Sequence, residues 1–133
     1  MKNKIQLIST ELAPKAIGPY SQGLVVASNL PLLFVSGQLP IDPATGKLIE
    51  GNIAELTERV IENISAILLE GGSHLEKVVR MEIFCTDLKK DFSAINAVYG
   101  KYFTNVIKPV RQTVQVSALP LGSPIEISCI AFV

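Results

Sequence analysis

Two charged residues interrupt segments that are otherwise strand-like, and their side chains could bind a small charged molecule. Glu126 is the only charged residue among the last 22 of the chain, in a run of mostly apolar residues. Arg111 follows a Lys-Pro-Val segment at the start of another strand-like run. An arginine presents a planar fork of donors that matches a carboxylate, whereas a buried glutamate is costly unless a cation or hydrogen-bond donors face it. Each residue also has an ordinary structural interpretation: Glu126 as an exposed residue at a strand edge, and Arg111 as a rim residue in a surface ion pair.

Four further residues lie where they could shape a pocket. Tyr20 stands in a loop between glycines, where its ring could form a wall or could cover the edge of the core. Ser36 and Gly37 end a strand-like segment, where the glycine could simply serve a turn. Asn96 lies four residues after Phe92 in a helical pattern, so it either borders the buried stripe or is an ordinary polar flank.

The remaining residues exclude several classes of site. A single histidine, His74, rules out a histidine-rich metal centre, and the chain has no nucleophile-elbow motif for a catalytic triad. Cys85 and Cys129 form no Cys-x-x-Cys pair and are most simply small residues of the core. The loop at 18–23 contains proline and opens no helix, so it is not a phosphate-binding loop. We therefore expect neither a metal nor a cofactor.

Length, composition and charge are those of an ordinary globular chain. The sequence has 133 residues, of which 48% are hydrophobic, and this predicts one domain over residues 1–133. Twelve basic and twelve acidic residues cancel, so no long-range field favours a nucleic acid or an anionic membrane as partner. No apolar run is long enough for a signal peptide or a membrane span. These features predict a cytoplasmic protein that binds neither a membrane nor a nucleic acid.

The pattern of apolar residues predicts the elements that must position these side chains. Apolar residues at the helical spacing predict a first helix, which should end at the glycine pair 71–72. The apolar residues are Ile53, Leu56, Val60, Ile64 and Ile67. The same spacing predicts a second helix from Leu88 to Tyr102. Segments with strand patterns lie at 3–9, 24–27, 32–35, 78–85, 112–118 and 125–133, the second and third forming a hairpin, and 38–46 is predicted as a loop.

The order of these elements predicts an α+β fold, a mixed sheet with two helices packed on one face. The last strand carries apolar residues on both faces, for example Ile127 and Ile130. A sheet face that is apolar although no helix covers it predicts burial against another subunit, so we expect a homo-oligomer. If the last two strands paired as a simple hairpin, Arg111 and Glu126 would lie near opposite ends, and bringing them together would require the subunit interface.

Five segments, in this order, resemble motifs of the Rid family, the YjgF-type reactive intermediate deaminases that also carry the older labels endoribonuclease and translation inhibitor. The segments are IGPYSQG at 17–23, VSGQ at 35–38, DLKKDFSAINAVYGKYF at 87–103, PVR at 109–111 and IEI at 125–127. Together they extend over nearly the whole chain. The resemblance implies a chorismate-mutase-like fold, a homotrimer, and three ligand clefts between subunits.

The resemblance also implies a reaction and a role for each site residue. Members hydrolyse 2-imino acids, such as 2-iminobutanoate and 2-iminopropanoate, to 2-keto acids and ammonia. Arg111 would bind the substrate carboxylate, Glu126 would position the attacking water, and the pocket would be shaped by Tyr20, Ser36, Gly37, Asn96 and Thr113. Thr113 stands where many members have cysteine, so a thiol role is excluded there. Two alternatives stay open: a non-catalytic trimer that binds small carboxylates and, from the older label, an endoribonuclease.

Overall fold

The computed structural model describes residues 4–133, which contain eight strands and two α-helices. The strands are β1 (Ile5–Ile8), β2 (Gly23–Val26), β3 (Leu32–Gln38), β4 (Ile41–Asp42), β5 (Lys47–Leu48), β6 (Val78–Cys85), β7 (Val110–Gln115) and β8 (Ile125–Phe132). The helices are α1 (Ile53–Glu70) and α2 (Leu88–Tyr102), so both predicted helices are confirmed. β1 confirms the strand predicted at 3–9, of which residue 3 lies outside the described residues. The segment predicted as a loop contains the short strand β4, which pairs with β5.

Four of these strands form a mixed sheet in the order β3-β8-β6-β7. β8 runs antiparallel to its neighbours β3 and β6, and β7 runs parallel to β6. The parallel pair is connected through α2, because parallel strands need a crossover of a dozen or more residues. The prediction of an α+β fold with a mixed sheet is confirmed.

Of the two strand pairings considered from the sequence, neither forms. The expected hairpin of 24–27 with 32–35 does not form, because β2 pairs with β1 and β3 pairs with β8. β7 and β8 are not hairpin partners either, since β6 lies between them. Two apolar segments that are adjacent in sequence need not pair with each other as strands. When β3 pairs with β8, Val35 is buried opposite Cys129.

Helix α1 begins with a capping box. The Asn52 side chain accepts a hydrogen bond of 2.9 Å from the Glu55 N–H, and the Glu55 carboxylate accepts one of 3.4 Å from the Asn52 N–H. Ile64 and Leu68 on its buried side are fully buried, whereas Ile67, which the spacing placed in the stripe, is 38% exposed. Ile67 therefore lies at the edge of the buried side, which is centred on Val60, Ile61, Ile64 and Leu68.

The core lies between the two helices and one face of the sheet. Ile64 of α1 and Ile95 of α2 are fully buried there, together with Met81 and Ile127 of the sheet. Cys85 and Cys129 are free thiols on the same face, as expected for small core residues. Of residues 4–133, no helix is long and apolar enough to cross a membrane.

The other face of the sheet, which we call the open face, carries no helix from the described residues. Glu126, Ser128 and Ile130 of β8 point to it, because they alternate with the buried residues of that strand. Phe34 and Leu32 of β3 also lie on it and are 70% and 48% exposed. Exposed apolar side chains that are grouped on one uncovered sheet face are typical of a surface that another molecule buries.

The core position of the two cysteines predicts slow thiol chemistry. Burial raises the pKa of the Cys129 thiol to about 12 and also raises the pKa of Cys85, so the reactive thiolate becomes populated only at a higher pH than in a free cysteine. In native protein at pH 8 we expect neither thiol to react quickly with a chromogenic disulfide reagent, and both to react at once in denaturant. Rapid labelling of folded protein would contradict this burial.

Candidate functional site

Arg111 lies on β7 and faces the helices. It pairs in register with Met81 of β6, which is fully buried on the helix face. Its Nη1 donates a hydrogen bond of 2.6 Å to Asn96 Oδ1 on α2, so Asn96 borders the buried stripe and is not an ordinary flank. Burial lowers the pKa of the Arg111 guanidinium, and Tyr99 and Tyr20 act in the opposite direction. An arginine has so high an ordinary pKa that the group stays a cation at neutral pH.

The loop that contains Tyr20 is tied to the segment that leads into β7. The Ser21 N–H donates a hydrogen bond of 3.1 Å to the Pro109 carbonyl, and the Ser21 hydroxyl donates one to the Lys108 carbonyl. These bonds hold the Tyr20 ring centroid 5.7 Å from the guanidinium carbon of Arg111. The Tyr20 ring therefore lies beside the guanidinium, in the position expected of a pocket wall.

A cleft of about 310 Å³ opens beside Arg111, at the lower end of the volumes that small-molecule sites have. Gly18 lines it, and a Cβ at that position would stand 3.3 Å from Arg111 Nη2. Thr113, two residues along β7, faces the same way, and its buried hydroxyl has no hydrogen-bond partner among the described residues. Ile17 and Phe92 supply an apolar wall. The cleft thus has a cationic end and an apolar side.

The charge of Arg111 has no counter-ion within the described part of the chain. No carboxylate of residues 4–133 lies within 4.0 Å of its guanidinium. The interpretation of Arg111 as a rim residue in a surface ion pair is therefore wrong. A half-buried cation that is held by one amide and two aromatic rings is available to an external anion.

Glu126 belongs to a second group, with Ser36 and Gly37. Between Val35 and Gln38, β3 has one residue more than β8 opposite it, a β-bulge that contains Ser36 and Gly37. A Cβ on Gly37 would lie 2.5 Å from Glu126 Oε1, so the glycine lets the carboxylate rest against the backbone of β3. Gly37 therefore serves a bulge and not a turn, and Glu126 is half-buried on an interior strand of the sheet and not exposed at its edge.

The two groups do not meet within one chain. Arg111 is in register with Met81 of β6, whereas Glu126 is in register with Phe84. Three residues along the strands and two strand spacings across them put the two Cα atoms roughly 14 Å apart. Their side chains also point to opposite faces, because Met81 and Phe84 are an odd number of residues apart. The structure thus forms an arginine group and a separate glutamate group; the first contains Arg111, Asn96, Tyr20 and Thr113, and the second Glu126, Ser36 and Gly37.

Comparison with known proteins identifies the family. The profile of the family described as Endoribonuclease L-PSP matches residues 10–133. A Yersinia pestis protein of the conserved Rid protein family has a crystal structure that superposes with a TM-score of 0.75 at 45% identity, covering 97% of this chain and 99% of that one. The chain belongs to the Rid family.

Other Rid proteins carry more specific names. A goat protein named 2-iminobutanoate/2-iminopropanoate deaminase is 42% identical over 126 residues, which is 95% of this chain and 88% of that protein. The crystal structure of Escherichia coli TdcF with bound serine superposes with a TM-score of 0.73 at 37% identity, covering 96% of this chain and 98% of that one. The family thus includes proteins named as deaminases, and a member whose structure holds an amino acid.

Several residues around the arginine group of this Rid protein were not identified as site residues from the sequence. Gly18 could have been found from its place beside Tyr20 in the IGPYSQG segment. The exposure of Phe92 could not have been predicted, because the helical spacing assigned this residue to the core. Gln22 holds the preceding loop, because its side chain donates to the Pro14 carbonyl at 2.7 Å and accepts from the Thr10 N–H at 2.7 Å. Its polar side chain gave no signal of this role.

The close approach of Gly37 to Glu126 yields a test of the glutamate group. Gly37→Ala should displace the Glu126 carboxylate, because the added Cβ would stand 2.5 Å from Oε1, closer than real contacts allow. The free energy of unfolding should fall by no more than about 1 kcal/mol, since only the end of a side chain has to move. A crystal structure and a urea titration of the variant check both expectations.

The matched control is Gly100→Ala, where a Cβ would meet no atom within 4 Å. Because Gly100 lies in the last turn of α2, alanine there should leave the stability unchanged or raise it by less than about 1 kcal/mol. An unchanged Glu126 conformation in Gly37→Ala would contradict the role given to the bulge.

Proposed function

We propose that this Rid protein hydrolyses 2-imino acids, such as 2-iminobutanoate and 2-iminopropanoate, to 2-keto acids and ammonia. The observation that carries the proposal is the half-buried Arg111 cation, which has a small cleft beside it and no carboxylate of residues 4–133 within reach. The name of the goat relative supports the reaction. A small acid with a carboxylate next to its reacting carbon would suit the cationic end of this cleft.

The proposed reaction needs one bound anion, one proton and one water. Arg111 binds the carboxylate of R–C(=NH)–COO⁻ and orients the imine carbon, while the imine nitrogen takes up a proton. Water held by Glu126 attacks that carbon and transfers a proton to the Glu126 carboxylate. Glu126 then returns this proton to the amino group of the tetrahedral intermediate R–C(OH)(NH2)–COO⁻. Ammonia leaves, the hydroxyl group loses its proton, and R–CO–COO⁻ remains. Imines already hydrolyse in water, so general acid–base catalysis of about 10²- to 10⁴-fold suffices.

The proposed site requires two copies of the chain. Arg111 belongs to the edge strand β7, whereas Gly37 belongs to the other edge strand of the described sheet, β3, beside Glu126. A neighbouring copy could bring its glutamate group to the arginine group of the first. The exposed ring of Phe34 on the open face supports burial of that face in such an assembly. A homotrimer with three clefts, one at each interface, is the arrangement we propose.

A second candidate function is a trimer that binds small carboxylates without turning them over. It is favoured by the serine bound in the structure of Escherichia coli TdcF, since an amino acid carries the same carboxylate next to a nitrogen-bearing carbon. Arg111 would serve both functions, whereas only hydrolysis requires Glu126. An endoribonuclease is not favoured, because the single histidine, His74, does not line the cleft beside Arg111.

Kinetics on an imine generated in situ test the reaction. A threonine dehydratase would supply 2-iminobutanoate, and the appearance of ammonia and 2-ketobutanoate would be followed with and without this protein. Arg111→Ala should lower kcat/KM by about 10²-fold through loss of the charge-assisted pair. Glu126→Gln should lower kcat by about 10²-fold or more and change the pH–rate profile. The control is Arg59→Ala, at a partly exposed ion pair on α1.

Two results would count against hydrolysis. No acceleration by the wild-type protein, together with Arg111-dependent binding of 2-ketobutanoate, would favour the carboxylate-binding trimer. A pH–rate profile that Glu126→Gln leaves unchanged would remove Glu126 from the mechanism.

Mixing two inactive variants tests whether each cleft is shared between copies. In a ring of Arg111→Ala and Glu126→Gln chains, a cleft works when its arginine comes from a Glu126→Gln chain and its glutamate from an Arg111→Ala chain. Random assembly at equal amounts should therefore restore about a quarter of wild-type activity. The variants would be unfolded and refolded together, with each refolded alone as the control. A mixture as inactive as its components would contradict a shared cleft.

A further inference from the structure

We propose that Tyr99 is a positioning residue for Arg111, and that its ring, not its hydroxyl, holds the guanidinium in the orientation that receives a carboxylate. This inference rests on the proposed function, in which Arg111 binds the substrate carboxylate. Tyr99 lies on α2, three residues after Asn96, so the two side chains reach Arg111 from the same side of the helix.

The contact leaves the donors of Arg111 free. The guanidinium carbon lies over the Tyr99 ring, 4.9 Å from the ring centroid. Such a contact stabilises the cation through the π electrons of the ring. Among the described residues, no hydrogen bond joins the guanidinium to the Tyr99 hydroxyl. Asn96 accepts only from Nη1, at 2.6 Å. Other N–H groups of the guanidinium thus remain for a carboxylate.

The ring of Tyr99 is fixed more firmly than the other aromatic ring near Arg111. Tyr99 is fully buried, and it stacks on Phe103 with ring centroids 4.3 Å apart and an interplanar angle of 20°. Tyr20 belongs to a loop and lies farther from the guanidinium carbon, at 5.7 Å. Tyr99 therefore provides the rigid surface against which the orientation of Arg111 is set.

The hydroxyl of Tyr99 is buried and has no hydrogen-bond partner among residues 4–133. A buried hydroxyl without a partner destabilises the fold, so its removal should not destabilise it. The ring and the hydroxyl can therefore be tested separately.

Three variants separate the ring, the hydroxyl and the packing. Tyr99→Phe removes only the hydroxyl, and Tyr99→Leu removes the ring. Phe103→Leu is the matched control, because it removes an equally buried aromatic ring from the same stack but leaves the surface under Arg111 in place. Each full-length variant would be measured for its melting temperature, for KM and kcat with 2-iminobutanoate, and for its affinity for 2-ketobutanoate by calorimetry.

We expect Tyr99→Leu to raise KM and to weaken 2-ketobutanoate binding by about 10-fold, the effect of losing a partly desolvated cation–π contact, with kcat changed much less. Tyr99→Phe should keep KM and affinity within about 2-fold of wild type, because the ring remains. Phe103→Leu should lower the melting temperature as Tyr99→Leu does, but it should change both binding constants clearly less than Tyr99→Leu does, because it loosens the Tyr99 ring without removing it.

Three results would overturn the inference. One is an equal rise of KM in Tyr99→Phe and Tyr99→Leu, which would assign the effect to the hydroxyl. Another is an equal loss of affinity in Phe103→Leu and Tyr99→Leu, which would assign it to core packing. The third is wild-type affinity in Tyr99→Leu. Should Tyr99→Leu fail to fold, a loss of affinity in folded Tyr99→Phe still overturns the inference, and wild-type affinity there supports it.

Failure of the proposed function gives a different result. A wild-type protein that binds 2-ketobutanoate through Arg111 but does not hydrolyse the imine would refute hydrolysis, and the calorimetric comparison of the variants would still decide the role of Tyr99. A wild-type protein that neither hydrolyses the imine nor binds the keto acid would refute both.

Discussion

Arg111 is a half-buried cation with no acid of residues 4–133 beside it, and the free-energy cost of this arrangement constrains the structure around it. Helix α2 has to cross β7 where Asn96 and Tyr99, one turn apart, both reach the guanidinium. The loop with Tyr20 has to be anchored to the segment before β7. A glutamate in place of Asn96 would stabilise the cation more strongly, but it would also compete with any carboxylate ligand. An amide and aromatic rings retain the positive charge for that ligand.

The fold was predictable where a single segment determines its own structure. Both helices and the core face of β6 and β8 follow from local spacing of apolar residues. The pairing of β3 with β8, and the position of β6 between β7 and β8, were not predictable, because the choice of partner depends on residues far away in sequence. Arg111 and Glu126 stood out as charged residues in strand-like segments. Tyr99 did not, because an aromatic residue that supports a cation through its ring has the same spacing as any core residue.

The placement of the two groups on one sheet restricts how copies can associate in the proposed site. The arginine group lies at one edge and faces the helices, whereas the glutamate group lies beside the other edge and faces away from them. A head-to-tail interface joins unlike groups of neighbouring copies and closes into a ring when the rotation allows it. A two-fold dimer would join them only if both groups belonged to one shared patch, whereas here they face opposite sides of the sheet.

The bulge in β3 also affects how the edge of the sheet behaves in a crowded solution. An edge strand presents unpaired N–H and C=O groups, on which strands of other chains can add without limit and form aggregates. The extra residue at Ser36 and Gly37 breaks the regular repeat of these groups. An incoming strand could pair with only a few residues before losing register. The same irregularity that makes room for Glu126 thus protects the molecule from open-ended sheet extension.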